Sequence, residues 1–100
     1  MNETNTHKPG GSPEADIGML RQAIDLIDEK ILGLINQRLS LAKQNGDLKK
    51  HAGIQILDSG REKEILNRLL GKNTGPIGSD GLRNIFKAII AEGRSVQTQG

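Results

Sequence analysis

The sequence contains no cysteine, tryptophan or tyrosine, and Phe86 is its only aromatic residue. Without cysteine the chain can form no disulfide and no thiolate metal site, and it has no cysteine nucleophile. It has only two histidines, His7 and His51, so we expect no histidine metal cluster. Because proteins that stack exposed bases need aromatic side chains, this scarcity also disfavours single-stranded nucleic-acid binding.

Long apolar runs and a strong charge of either sign are missing too. No stretch of about 18 apolar residues is present, so no transmembrane helix is expected. The first 16 residues lack the apolar core of a signal peptide. The formal net charge of +2 is too small to indicate nucleic-acid binding by itself. We therefore expect a cytoplasmic protein whose 100 residues form one domain with a modest core.

The spacing of the apolar residues predicts helices. Residues 1–15 are polar and contain several prolines and glycines, so we interpret them as a disordered tail before a helical domain over residues 16–100. Beyond the tail, apolar residues recur at steps of three and four, which predicts a first helix over about residues 17–50 that stops at Gly53. Gly46 lies inside this helix, where we expect glycine to be tolerated at a cost of about 1 kcal/mol relative to alanine.

Two shorter helices follow, and no strand pattern is visible. Ser59 and Glu62 have the spacing of a capping box at the start of the second helix, although Asp58 could be the N-cap instead. A loop rich in turn-forming residues separates this helix from the third, which begins near Ser79 or Asp80. The expected fold class is therefore all-α, with one long, one short and one medium helix.

The length of the first helix predicts a dimer. About 34 residues at about 1.5 Å per residue make a helix of roughly 50 Å, whereas a compact domain of this size has a radius of gyration of only about 13 Å. The two shorter helices cannot cover such a length. Part of the first helix is therefore expected to pack against a second copy in a two-fold, intertwined homodimer.

The apolar face of the first helix carries polar residues. Arg38, Asn45 and Lys49 fall within about 20° of the centre of this face on a helical wheel. A buried cation without a partner costs several kcal/mol. Such cations can extend to the surface on their alkyl stems, or they can pair with Asp58 or Glu62. The alternative is an enclosed pocket between helices for a small anion, which supplies the counter-charge when it binds.

Four segments, taken in order, resemble the all-helical chorismate mutase family of type II, in its monofunctional cytoplasmic form. They are LRxxIDxIDxxILxLINQR over Leu20–Arg38, LAxxxGxxK over Leu41–Lys49, DxxRE over Asp58–Glu62 and IFKAIIAEGRSVQ over Ile85–Gln97. The similarity covers about residues 17–97. It implies a dimer of three-helix chains that converts chorismate to prephenate by a unimolecular Claisen rearrangement, without a metal or any other cofactor.

The resemblance also implies roles for individual residues. Arg38 would bind one substrate carboxylate, and Arg21 from the other protomer would bind the second. Lys49 would bind a carboxylate and donate a hydrogen bond to the ether oxygen of the breaking bond. Gln97 would donate to that oxygen from the opposite side. We interpret Asn45 as a structural or supporting amide.

Four further positions complete the implied site. Glu62 would accept a hydrogen bond from the substrate hydroxyl, helped by the backbone around Asp58. Arg61 would add positive charge and a substrate contact at the rim. Gly93 occupies the position of a serine that the family pattern places within reach of a substrate carboxylate. Because a neutral hydrogen bond is worth about 0.5–1.5 kcal/mol, we expect weaker substrate binding rather than loss of activity.

Three other functions fit parts of the same pattern. An isochorismate pyruvate-lyase would use nearly the same anion pocket on the same scaffold. A non-catalytic regulatory or dimerisation module would keep the fold without turnover. A basic helical nucleic-acid binder would need its cations on an exposed face, whereas the most suggestive cations here lie on the apolar face.

Overall fold

The computed structural model describes residues 11–99 of the chain. It contains three helices, α1 (Pro13–Ala52), α2 (Ser59–Lys72) and α3 (Ser79–Gln97), and no strand among the described residues. The predicted all-α fold of one long, one short and one medium helix is confirmed. None of the helices in this part of the chain combines the length and the apolar character that crossing a membrane requires.

Helix α1 begins earlier than the sequence analysis predicted. Pro13 is its first residue, and the backbone N–H of Ala15 donates to Ser12 Oγ at 3.1 Å. Proline suits the first helical position because its φ is already helical, and serine is a favoured N-cap. Residues 13–15, which we assigned to the tail, are therefore helical. The first ten residues of the predicted tail lie outside the described part of the chain.

The end of α1 follows the prediction. Gly53 adopts a φ of 71°, which is the left-handed conformation that glycine adopts without steric cost. Its N–H donates to Lys50 O at 3.2 Å, and the N–H of Ile54 donates to Lys49 O at 2.8 Å. These two bonds form a Schellman motif, which ends a helix by satisfying its last carbonyl groups.

The described residues divide into two units, 11–34 and 35–99. In the first unit the described residues belong almost entirely to the early part of α1, and none of them is buried. Nine large apolar side chains of this unit are between 47% and 67% exposed. This segment therefore has an apolar surface that is left exposed within the described residues 11–99.

The second unit contains the rest of α1 together with α2 and α3. Its buried apolar residues are Ile65 on α2 with Leu82 and Ile90 on α3. Gly46 on α1 is also buried, and a Cβ built there would lie 2.7 Å from Gln97 Cβ. Real Cβ atoms do not approach other atoms this closely, so α1 and α3 pack at a distance that only glycine allows. The packing therefore requires glycine at position 46, whereas the sequence predicted only that glycine is tolerated there.

Candidate functional site

The second unit contains a cavity of about 270 Å³ that is lined by all three helices. Its polar lining residues are Arg38, Asn45 and Lys49 on α1, Asp58, Arg61 and Glu62 at the start of α2, and Arg94 and Gln97 on α3, where Gly93 also lines it. Apolar side chains such as Ile56, Ile65 and Ile90 form the remaining walls. The volume lies just below the usual range for small-molecule sites, which is about 300–1,000 Å³.

Helical spacing explains why these residues meet. Arg38, Asn45 and Lys49 are separated by seven and four positions, so they share one face of α1. A face of α3 is shared by four residues that are separated by three, one and three positions, namely Ile90, Gly93, Arg94 and Gln97. The fold therefore brings together, in one cavity, all the site residues that the sequence predicted within a single chain.

The cavity is electropositive. Four cationic side chains and two carboxylates line it, which leaves a formal charge of +2. Arg38 is half-buried and has no ion pair with any acid among the described residues. Lys49 is also half-buried, and its ammonium group donates to the backbone carbonyl of Ile56 at 3.3 Å. Neither cation is neutralised by an acid of residues 11–99, so a bound anion would complete the site.

The first turn of α2 positions its side chains through an aspartate cap. Asp58 Oδ1 accepts a hydrogen bond from the backbone N–H of Arg61 at 2.9 Å. Asp58 is therefore the N-cap, which was the second of our two alternatives. The Arg61 side chain is exposed and forms an ion pair with Glu64 on the same helix. This places the Arg61 guanidinium at the rim of the cavity.

Glu62 does not form the capping box with Ser59. Its carboxylate instead accepts a hydrogen bond from Arg94 Nε at 2.8 Å, which links α2 to α3. Arg94 is the one charged lining residue that the sequence analysis missed. Its position could have been found from the stripe on α3, because it lies four residues after Ile90 and three before Gln97.

Gly93 and Gln97 approach α1 closely. A Cβ at Gly93 would lie 3.4 Å from Arg38 Nη1, so the guanidinium of Arg38 rests against this glycine. Gln97 is half-buried against Gly46. Its side-chain amide has no hydrogen-bond partner among residues 11–99, so it can donate to a ligand.

Arg21 does not line the cavity. It lies in the first unit, on the exposed early part of α1, and its proposed role requires a second protomer. Within residues 11–99 there is no group of three or more histidine, cysteine or acidic side chains that could hold a metal ion.

Comparison with known proteins identifies related chains. A sequence model described as chorismate mutase type II matches residues 20–98. A chorismate mutase from Methanocaldococcus jannaschii is 40% identical over 82 residues, which cover 80% of this chain and 82% of that protein. A bifunctional chorismate mutase/prephenate dehydratase from Aquifex aeolicus is 40% identical over 76 residues, which cover 72% of this chain. The present chain spans only about a fifth (21%) of that relative's length.

The fold has solved counterparts as well. It matches the structure of chorismate mutase (form II) from Thermus thermophilus with a TM-score of 0.82 and 30% sequence identity. The match covers 84% of this chain and 96% of that one.

Proposed function

Because the chain belongs to the chorismate mutase type II family, we propose that it is an isomerase that converts chorismate to prephenate. In this rearrangement one C–O bond breaks as one C–C bond forms, and no atom enters or leaves. The protein would accelerate it by holding the flexible substrate in its compact reactive conformation. It would also place hydrogen-bond donors where negative charge develops in the transition state.

The main support for this proposal is the positive charge of the cavity. Chorismate has two carboxylates, and the lining residues have a formal charge of +2. Arg38 has no acid partner among the described residues, so its planar guanidinium is available to bind one carboxylate with two hydrogen bonds. A neutral or cationic ligand would leave this charge uncompensated.

Two donors are proposed for the ether oxygen of the breaking bond. Lys49 reaches the cavity from α1 and Gln97 from α3, so the oxygen could receive hydrogen bonds from two sides. Lys49 uses one N–H for Ile56 O, and an ammonium group has three. Since these donors would be fixed before the reaction, they could stabilise the developing charge without reorganisation.

The start of α2 is proposed to bind the rest of the substrate. Glu62 would accept a hydrogen bond from the substrate hydroxyl, next to the backbone around Asp58. Arg61 would add positive charge and a substrate contact at the rim. Asn45 also lines the cavity, and we keep it as a supporting amide.

We also propose a homodimer in which Arg21 of one protomer binds the second carboxylate in the cavity of its partner. The support is the apolar surface of residues 11–34, whose large side chains are about half exposed or more. Apolar surfaces of this kind mark protein interfaces, and two-fold dimers are the commonest assemblies. A cytoplasmic location remains a prediction from the sequence.

The direct test is an assay of chorismate consumption and prephenate formation. Arg38→Ala and Lys49→Ala should each lower kcat/KM by at least about a hundredfold, because each removes a charged donor from a partly buried site. Arg68→Ala and Lys72→Ala are matched controls, since both residues are exposed on α2 and line neither cavity. The controls should keep wild-type activity.

The products distinguish the alternatives. Pyruvate and salicylate from isochorismate, without prephenate from chorismate, would identify a lyase on the same scaffold. A folded wild-type protein that turns over neither substrate would support a regulatory or dimerisation module and refute the proposal.

A further inference from the structure

The ion pair between Arg94 and Glu62 has no part in the roles described so far. Arg94 Nε donates to Glu62 Oε2 at 2.8 Å and joins α3 to α2. The other three ion pairs formed wholly within residues 11–99 join side chains three or four positions apart on one helix. The Glu62 side chain is 25% exposed and the Arg94 side chain is 41% exposed, so the pair is partly buried on the Glu62 side and solvent and salt screen it in part.

The geometry of the pair leaves Glu62 able to accept a second hydrogen bond. Only Oε2 is engaged, and no donor among the described residues reaches Oε1. Arg94 uses only Nε, so both of its Nη groups remain without a partner in this part of the chain. One fixed contact can therefore hold the carboxylate in a single orientation without occupying the oxygen that a ligand would need.

The surroundings of Glu62 explain why it needs such a contact. Glu62, Ile90 and Arg94 line a second cavity of about 330 Å³ as well as the first. These three residues form a wall that both cavities share, so a Glu62 carboxylate without a fixed partner could face either cavity. Lys63 and Lys87 line the second cavity, and their ammonium groups would compete for the carboxylate with the cations of the first cavity. The hydrogen bond from Arg94 opposes that rotation.

We propose that Arg94 is a positioning residue, which holds Glu62 so that Oε1 accepts a hydrogen bond from the hydroxyl of the substrate. The inference rests on the proposed chorismate mutase function. Arg94 makes and breaks no bond, and the hydroxyl proton stays on the substrate. The effect on rate is substantial because misplacing a contact by about 1 Å can cost about a hundredfold.

A double-mutant cycle tests the proposal, with Arg94→Met, Glu62→Gln and the combined variant assayed for prephenate formation. Arg94→Met should lower kcat/KM about tenfold. In the Glu62→Gln background the same change should lower it by less than about twofold, because the two residues act through one contact. Arg94→Lys keeps the charge but lacks the planar guanidinium, so it should recover only part of the loss.

Arg83→Met is the matched control. Arg83 lies on the same helix, pairs with Asp80 at 3.2 Å and lines neither cavity, so its replacement should leave kcat/KM unchanged. The melting temperature of each variant separates a folding defect from a change in catalysis, and Arg94→Gln takes the place of Arg94→Met if the latter does not fold.

Two results would overturn the positioning role. One is unchanged kcat/KM in folded Arg94→Met. The other is a tenfold loss that persists in the Glu62→Gln background, which would indicate that Arg94 acts on the substrate directly. A wild-type protein that folds but forms no prephenate is a different outcome, because it refutes the proposed function and the inference together.

Discussion

At the scale of single residues, Gly93 offers a substitution that should improve the protein. A Cβ at this position would lie 3.4 Å from Arg38 Nη1 and 3.7 Å from Ala42 Cβ, which is ordinary van der Waals contact. Gly93→Ser should therefore fit and supply a hydroxyl to a substrate carboxylate. Since a neutral hydrogen bond is worth about 0.5–1.5 kcal/mol, we expect KM to fall by about two- to tenfold with kcat little changed.

Gly71→Ser separates this contact from a general effect on helix stability. Gly71 lies in α2, and a Cβ there would have no atom within 4 Å. Both variants should gain a few tenths of a kcal/mol in helix propensity, but only Gly93→Ser should alter KM. Equal KM values for Gly93→Ser and the wild type would show that no carboxylate lies near this position.

Single residues also show how far the site could be predicted from the sequence. Arg38 and Lys49 were identifiable because a cation on an apolar face is conspicuous in a helical wheel. Arg94 shares a helical stripe with Ile90 and Gln97, but its role was not identifiable, because a basic residue in the last turn of a helix is common and interacts favourably with the helix dipole. Its bond to Glu62 crosses 32 positions of the chain, and no local pattern predicts a contact of that range.

At the scale of helices, the contact between α1 and α3 depends on Gly46. In Gly46→Ala the new Cβ would lie 2.8 Å from the backbone Cα of Gln97, so the two helices would have to move apart. Overpacking of this kind costs about 1–3 kcal/mol. We expect a lower melting temperature and, because Gln97 is displaced from the proposed ether oxygen, a kcat reduced by about tenfold or more.

Gly71→Ala is the control for this prediction. Gly71 lies in α2, outside the proposed dimer surface, and a Cβ there would have no atom within 4 Å, so alanine should be tolerated or should stabilise the helix by up to about 1 kcal/mol. If thermal unfolding showed Gly46→Ala to be as stable as Gly71→Ala, α1 and α3 would not pack as closely as described.

Helix ends were predictable where one residue decides them. Gly53 ends α1 because its positive φ is available to glycine at no cost. The start of α1 was placed too late, because proline and glycine near the N-terminus were interpreted as a tail, although Pro13 and Ser12 are also a favourable first residue and cap. The requirement for glycine at position 46 could not be predicted, since it depends on the close approach of α3, which is distant in sequence.

At the scale of the whole molecule, the apolar surface of residues 11–34 should hold two chains together. Light scattering should give twice the 10.8 kDa mass of one chain. Replacing Ile24 and Ile31, which are 54% and 47% exposed in one chain, by aspartate should abolish the dimer, because the interface would then bury unpaired charge. A wild-type protein that stays monomeric at micromolar concentration would contradict the homodimer.

A homodimer with Arg21 acting across the interface makes a further, sharper prediction. Arg21→Ala and Lys49→Ala should each be nearly inactive alone. The first lacks the arginine that acts across the interface, and the second lacks the donor in its own cavity. When the two are unfolded together in equal amounts and refolded, half of the dimers should contain one chain of each kind. Each mixed dimer would have one complete site, formed by the intact cavity of the Arg21→Ala chain and the intact arginine of its partner. About a quarter of wild-type activity should therefore return, whereas an arginine acting within its own chain would restore none.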